Sequence, residues 1–400
     1  MSSYSPRALS IKRLDRLGSV IALALILAPG LLPFALLRPN RIAAPQGVPL
    51  WQALPQPAAG LALLALVVLA GLFLWRGAPR LRLLAAALGL VGQGVAIGLA
   101  ARHLLPPENG YARVSPGAGF WLLLAALGLA LADALARERL RPGGRVLALA
   151  LALAALALMI GSGLWRDLSV LREAASREAA FVQALQVHAA LALSSVAMAL
   201  MVGLPLGIWA QRRPRLREGL LAGLNMVQTV PSMALFGLMI APLAWLAASW
   251  PGLAALGVAG IGPAPAFLAL WIYALLPVVA SVLAGLEAVP GAVRAAADGM
   301  GMSARQRLWQ VELPLALPAI LTGLRLVLVQ NIGLAVIAGL VGGGGLGVFV
   351  FQGLSQTAPD LVMLGALPTV VMALAAAVLL DAATEWARRG RSAPGEGRGG

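Results

Sequence analysis

The residues with chemistry to offer are few, and their types already narrow what the chain can do. There is no cysteine, so neither disulfides nor thiolate metal sites are available. Two histidines, His103 and His188, stand far apart in sequence and make a poor basis for a metal site. The run Val341-Gly342-Gly343-Gly344-Gly345-Leu346-Gly347 has the composition of a phosphate loop. A nucleotide cradle of that kind needs a preceding strand and a lysine that reaches the β- and γ-phosphates. Here the run follows a strongly apolar segment, and Lys12 is the only lysine in the chain. ATP binding by that route is excluded, and no cluster of serine, histidine and carboxylate marks a hydrolytic centre. The expectation is a protein that binds no cofactor or metal and is not itself an enzyme.

A second stretch has a mechanical character. Residues 287–317 are too polar to lie in an apolar environment and read Val293-Arg294-Ala295-Ala296-Ala297-Asp298-Gly299-Met300-Gly301, then Met302 to Gln310, then Val311-Glu312-Leu313-Pro314. Helix-prone alanines let another surface approach closely. Gly299 and Gly301 permit a sharp reversal, and Pro314 resets the chain before the next apolar run. This predicts a helix, a glycine turn and a second helix, presented as a short knob to a partner. Elsewhere Gln228, Thr229 and Ser232 flank Pro231 inside an apolar run, with Gln228 and Ser232 one helical turn apart and so expected on one face, and Gln330 and Asn331 sit inside another. Such groups either face a water-filled path or bond to neighbouring helices.

The elements that position these residues follow from composition. Of the 400 residues, 60% are apolar and 11% charged, and the mean hydropathy is +0.89. This is the balance of a polytopic membrane protein, with apolar runs of about 20 residues matched to a hydrocarbon core about 30 Å thick. Ten spans are predicted, at roughly 18–37, 58–75, 83–101, 118–136, 146–164, 187–210, 219–246, 265–286, 318–340 and 360–385. Pro29 and Pro33 argue against a signal peptide at the first. The net charge of +15 reads as topology and not as nucleic-acid binding. With the N-terminus inside, 22 of the 30 basic residues fall in inner segments and seven outside, with Arg325 within a span. Both termini are therefore expected in the cytoplasm. Arg325 is expected to snorkel or pair, and Asp381 and Glu385 to reach the cytoplasmic edge.

The organisation predicted is an N-terminal membrane region of five spans over 1–164, with few interior polar groups. An amphipathic connector over 165–186, a core over 187–389 and a disordered tail over 390–400 follow. No repeat relates the two halves.

The spacing in 295–314 resembles the coupling loop of ABC importer permeases: Glu-Ala-Ala, three residues, Gly, nine residues, an aliphatic, any residue, Leu-Pro. Ala295-Ala296-Ala297 fills the opening, Gly301 the glycine, Val311 the aliphatic, and Leu313-Pro314 the close. The usual glutamate is Ala295 here, and Asp298 is a candidate replacement. Asn225 to Phe236, Gly203-Leu204-Pro205-Leu206-Gly207-Ile208, Tyr273-Ala274-Leu275-Leu276-Pro277, Gly299 to Ser303 and the glycine run at 342–347 resemble the glycine betaine, choline and carnitine permeases, in a branch lengthened by extra N-terminal spans.

The resemblance implies an all-α fold with a C-terminal five-helix, MetI-like permease core. It also implies a coupling loop of Ala295, Ala296, Ala297, Asp298, Gly299, Gly301, Val311, Leu313 and Pro314. A path lined by Gln228, Thr229, Pro231, Ser232, Gln330 and Asn331 is the accompanying expectation. The implied partners are cytoplasmic ATPase subunits that hold ATP and Mg, a periplasmic or lipid-anchored solute-binding protein, and a second identical or nonidentical permease in the inner-membrane bilayer. The implied substrate is a compatible solute, glycine betaine foremost, with an amino acid or other small solute as the alternative. An ion-coupled secondary transporter would call for intramembrane carboxylates or an inverted repeat.

Overall fold

A computed structural model describes residues 15–40, 43–75 and 78–389. Lys12, several of the basic residues counted for topology and the tail 390–400 lie outside the described residues. Among the described residues, nine helices are long and apolar enough to cross a membrane. The described residues form two compact units, one within Met1–Arg141 and Ala150–Ser176, the other within Pro142–Leu149 and Arg177–Gly400.

The first unit opens with α1 (Arg16–Leu31). The expected span 18–37 is cut short here. Pro33 disfavours helix in the residue before it, and Leu32 turns extended. The chain continues as β1 (Ala35–Arg38), which pairs antiparallel with β2 (Gln46–Val48) and β3 (Arg113–Pro116) in the order β2-β1-β3. This small sheet is a departure from the purely helical expectation. Its register sets Leu36 opposite Gly47 on one side and Ser115 on the other. The rest of the unit is α2 (Leu50–Ala53), α3 (Gln56–Leu74), α4 (Pro79–Leu104), α5 (Ala118–Glu138), part of α6 (Pro142–Gly161) and α7 (Ser169–Ser176). The connector expected over 165–186 is interrupted at Arg177, and only α7 stands alone. Arg172 of α7 donates to the Ala112 carbonyl at 2.9 Å beside β3, and Trp165 Nε1 donates to the Gly94 carbonyl of α4 at 2.7 Å.

The second unit begins with the 34-residue α8 (Glu178–Gln211), followed by α9 (Pro214–Thr229), α10 (Ser232–Leu238), α11 (Ile240–Ser249) and α12 (Pro251–Ala255). Then come α13 (Pro263–Glu287), the short α14 (Gly291–Gly299) and α15 (Ala304–Arg307), α16 (Leu313–Leu334), α17 (Gly347–Ser355) and α18 (Pro359–Arg389). Its core is small side chains between α8, α13 and α16: Ala192, Ala269, Leu270, Ala274, Val278 and Val327 are all buried. Close approach of α8 to α13 is visible at Gly203 and Gly207, where a Cβ would press on Val278 and Val282. Gaps this tight are how membrane helices associate, since lipid gives them no hydrophobic incentive to do so.

The first unit is not free of interior charge. Arg82 on α4 is 2% exposed. Its Nη1 donates to Asp15 Oδ2 at 2.5 Å, and Arg137 Nη2 donates to the same oxygen at 2.7 Å. Arg137 Nε also donates to Asp133, and Arg82 Nη2 lies 3.6 Å from it. Burial pushes the Asp15 carboxyl upward, but the Arg82 hydrogen bond and the charges of Arg137 and Arg82 outweigh it and hold the group below its ordinary value. A depressed carboxylate contributes stability that is complete above its unfolded pKa and is lost as pH falls through the lower folded value.

Arg82→Met should therefore destabilise the detergent-solubilised chain by about 3–5 kcal/mol, the scale for an orphaned buried ion pair. Arg80→Met, at an arginine whose side chain is 90% exposed beside Glu138, should leave thermal unfolding unchanged. Acidification below the ordinary carboxylate range should shrink the difference between the wild-type chain and Arg82→Met.

Candidate coupling loop and translocation helices

The loop between α13 and α16 is built from local rules. Pro290 precedes α14, and the alanines at 295–297 are the strongest helix formers available. The helix ends in a Schellman closure: Met302 N–H donates to Ala297 O at 3.1 Å and Gly301 N–H to Asp298 O at 3.0 Å. Gly301 takes a φ of +78° at this point, with no atom within 4 Å of the place a Cβ would occupy. The glycine is thus required by backbone conformation and not by crowding. Gly299 is the last residue of α14 itself, so the reversal expected of both glycines belongs to Gly301 alone. Ser303 then caps α15 reciprocally with Gln306, its Oγ accepting from the Gln306 N–H and its own N–H donating to Oε1 at 2.8 Å.

Pro314 does not reset the chain. Leu308–Glu312 forms a wide π-helical turn, in which Leu313 N–H reaches the Leu308 carbonyl, and α15 runs through it into α16. Proline lacks an N–H and crowds the carbonyl four residues back; a widened turn accommodates both. The outward face of the loop carries Ala295, Ala296, Asp298, Gly299 and Gly301, with Met300 at its tip 72% exposed and Trp309 58% exposed. Ala297 is buried, and Val311, Leu313 and Pro314 are half-buried. Asp298 accepts from Arg307 Nη1.

The other predicted site residues divide into two groups. Gln228, Thr229 and Pro231 are exposed and Ser232 is half-buried, around a break between α9 and α10. Pro231 forces Val230 into extended backbone (ψ 126°). Gln228 and Ser232, expected one turn apart on one helical face, therefore lie on two different helices. The break is clasped from α13: Tyr273 Oη donates to the Val230 carbonyl, while the Tyr273 carbonyl accepts from Gln228 Nε2 at 3.1 Å. Thr229 Oγ1 donates back to Met226 O at 2.7 Å. Gln330 is exposed on α16. Its neighbour Asn331 is fully buried and donates to Ser195 Oγ of α8 at 2.9 Å and to the Leu270 carbonyl of α13 at 3.3 Å.

Several residues with structural consequence carry no motif. His188 is fully buried, and its Nε2 donates at 3.0 Å to the carbonyl of Ile332, just before α16 tightens into a 3-10 segment over Ala335–Val341. The glycine run follows that segment, and a Cβ at Gly347 would stand 1.8 Å from the Val336 carbonyl. Arg325 donates to Asp381 at 2.7 Å, and Arg145 contacts Asp381 at 2.5 Å and Glu385 at 3.1 Å. Asp381 and Glu385 are thus members of an ion-pair set and do not depend on water alone. The only advance signal was their spacing of one helical turn on α18, a pattern equally common on solvated faces.

Residues 203–392 match the family model described as binding-protein-dependent transport system inner membrane component, and residues 15–171 match the N-terminal domain of ABC transporter permease YehY. The chain is 38% identical over 187 residues to an osmoprotectant import permease protein, OsmW, of Salmonella typhimurium, covering 47% of this chain and 82% of that one. It is 35% identical to a carnitine transport permease protein, OpuCB, of Listeria monocytogenes (47% and 78% covered) and 31% identical to a choline transport system permease protein, OpuBB, of Bacillus subtilis (47% and 79%). A similar solved chain occurs in the MetNI methionine ABC transporter, at 22% identity and a TM-score of 0.44 over 52% of this chain and 96% of that one. The apolar helices, the family model and the osmoprotectant, carnitine and choline permeases agree: the chain belongs to the family of binding-protein-dependent transport system inner membrane components, as a multi-pass permease subunit of the ABC class.

Proposed function

We propose that this subunit imports a small quaternary ammonium solute, glycine betaine foremost, driven by separate cytoplasmic ATPase subunits that bind its 291–314 loop. The observation that carries the reading is the geometry of that loop. A Schellman-closed helix, α14, offers Ala295 and Ala296 on its outward face to a close-fitting partner, and after the Gly301 turn α15 is continuous through a π-turn with α16. ATP and Mg belong to the partner, since the sequence has one lysine and no phosphate loop in the right context. A solute-binding protein delivers the solute to the opposite mouth. A second permease, identical or not, covers the exposed polar groups of α9 and α16 that lipid cannot solvate. The excess of basic residues on the loop side supports a cytoplasmic loop and cytoplasmic termini.

The substrate class is supported by the relatives, which are named for osmoprotectants, carnitine and choline. It is also supported by the uncharged amide and hydroxyl groups at the α9–α10 break. These replace some of the solute's water without a net charge to trap it. Asp381 and Glu385 are each engaged by arginine, so neither stands as the unpaired carboxylate an ion-coupled carrier would use.

Two measurements test the reading. Gly301→Ile places a β-branched residue at φ +78° and costs about 1–2 kcal/mol of local conformation. In the reconstituted complex it should abolish glycine-betaine-stimulated ATP hydrolysis, whereas Gly301→Asn, which tolerates the left-handed region, should retain it. Normal stimulation by the isoleucine variant would remove the coupling assignment.

Because the chain has no cysteine, single cysteines at Gln228 and Ser232 have a clean background. Both should react with small water-soluble thiol reagents, at rates that differ between ATP-bound and nucleotide-free complexes. Uniform protection, with unimpaired uptake by the alanine variants, would assign this break to static packing.

A further inference from the structure

Behind the outward face of the loop, Glu312, Arg294 and Arg307 from successive elements converge on its inner side, and Arg307 also reaches Asp298 on the outward face. Glu312, the last residue of the π-turn, is 5% exposed, whereas Asp298 carries a side chain 51% exposed. Arg294 of α14 and Arg307 of α15 each bring Nε to 3.3 Å from Glu312 Oε1, as charge contacts outside hydrogen-bond alignment. The remaining guanidinium donors reach further. Arg307 Nη1 donates to Asp298 at the end of α14, and Arg294 Nη2 donates to the Leu286 carbonyl at the end of α13. One buried carboxylate thus stands at the junction of α13, α14, α15 and α16.

An exposed ion pair contributes little, and a loop that merely had to be soluble would not bury its acid. Desolvating Glu312 is costly, and an apolar side chain would fill the place at lower cost. What the acid supplies is geometry, because two arginines from opposite sides of the Gly301 turn are held to a single point. Without that point the turn is the softest place in the loop. A force on Ala295 and Ala296 would then be absorbed by rotation about Gly301 before reaching the span.

We propose that Glu312 is a positioning residue for coupling: by holding Arg294 and Arg307 together, it makes α14, α15 and the start of α16 one lever that hands ATPase movement to the membrane helix. The proposal rests on the reading of this loop as the ATPase contact.

The test uses the complete complex in liposomes, with glycine betaine as the probe. Glu312→Gln should still co-purify with the ATPase. Solute-stimulated hydrolysis and uptake should fall by about tenfold or more, the scale of an allosteric coupling free energy. Glu312→Asp, which keeps the charge, should recover a large part of both. The triple variant Arg294→Gln, Arg307→Gln, Glu312→Gln removes the burden of unpaired charge and should assemble yet remain uncoupled. Full stimulation in Glu312→Gln or in the triple variant would overturn the proposal, reducing the cluster to charge compensation. Failure of both to assemble would assign it to folding and overturn the proposal as well. Failure of the underlying reading looks different: Ala295→Trp, on the outward face, would assemble and couple normally.

Discussion

A membrane-spanning backbone cannot leave its amides and carbonyls to the solvent, because the hydrocarbon offers them no partner. Wherever this chain interrupts a helix it therefore has to bring a donor or acceptor to the gap, and the architecture of the second unit can be followed from one such repair to the next. At the α9–α10 break the donor is Tyr273, whose hydroxyl reaches the Val230 carbonyl from α13. Where α16 tightens toward the glycine run, His188 of α8 supplies a ring N–H to the Ile332 carbonyl. At Pro314 the repair is internal, a widened turn in which Leu313 reaches Leu308. Each repair ties two points of the fold together, so irregular backbone and helix packing are set by the same residues.

Charge obeys a related constraint. Basic residues act on membrane topology by number, but many of the arginines here are also committed to particular carboxylates. Arg82 and Arg137 close on Asp15 and Asp133, Arg145 and Arg325 on Asp381, and Arg294 and Arg307 on Glu312. In each set an acid near a helix end draws arginines from separate helices, which fixes relative rotations that apolar packing alone leaves loose. The arginine-rich composition thus also serves registration between helices.

Much of this was legible in the sequence, for identifiable reasons. Span length is imposed by bilayer thickness, and the loop at 291–314 was readable because a positive φ needs glycine and an alanine run favours helix. What escaped was whatever depends on distant partners. Nothing local says that Gln228 will find the Tyr273 carbonyl, that Asn331 will turn away from its neighbour Gln330, or that Asp381 will meet an arginine 236 residues earlier. Periodicity also misled where proline intervened. Gln228 and Ser232 share a face only if a helix runs through Pro231, and the first span reaches residue 37 only if Pro33 is ignored. The three-stranded sheet was invisible because strands of three or four residues leave no alternation to detect.

The π-turn before α16 gives the loop a fixed phase. A turn of this kind carries one residue more than an α-turn, and each residue in an α-helix advances the direction of a side chain by about 100°. The wide turn closes over its extra residue, so losing one between Leu308 and Glu312 would restore an ordinary turn and keep the knob's aim, whereas losing one from the helical turns beside it would swing the knob by about that angle relative to every side chain of α16. Surface loops usually absorb insertions and deletions, but this one can lose a residue without being re-aimed only at its π-turn. The nine residues between Gly301 and Val311 therefore set the aim of the knob turn by turn, and their number is what carries the resemblance.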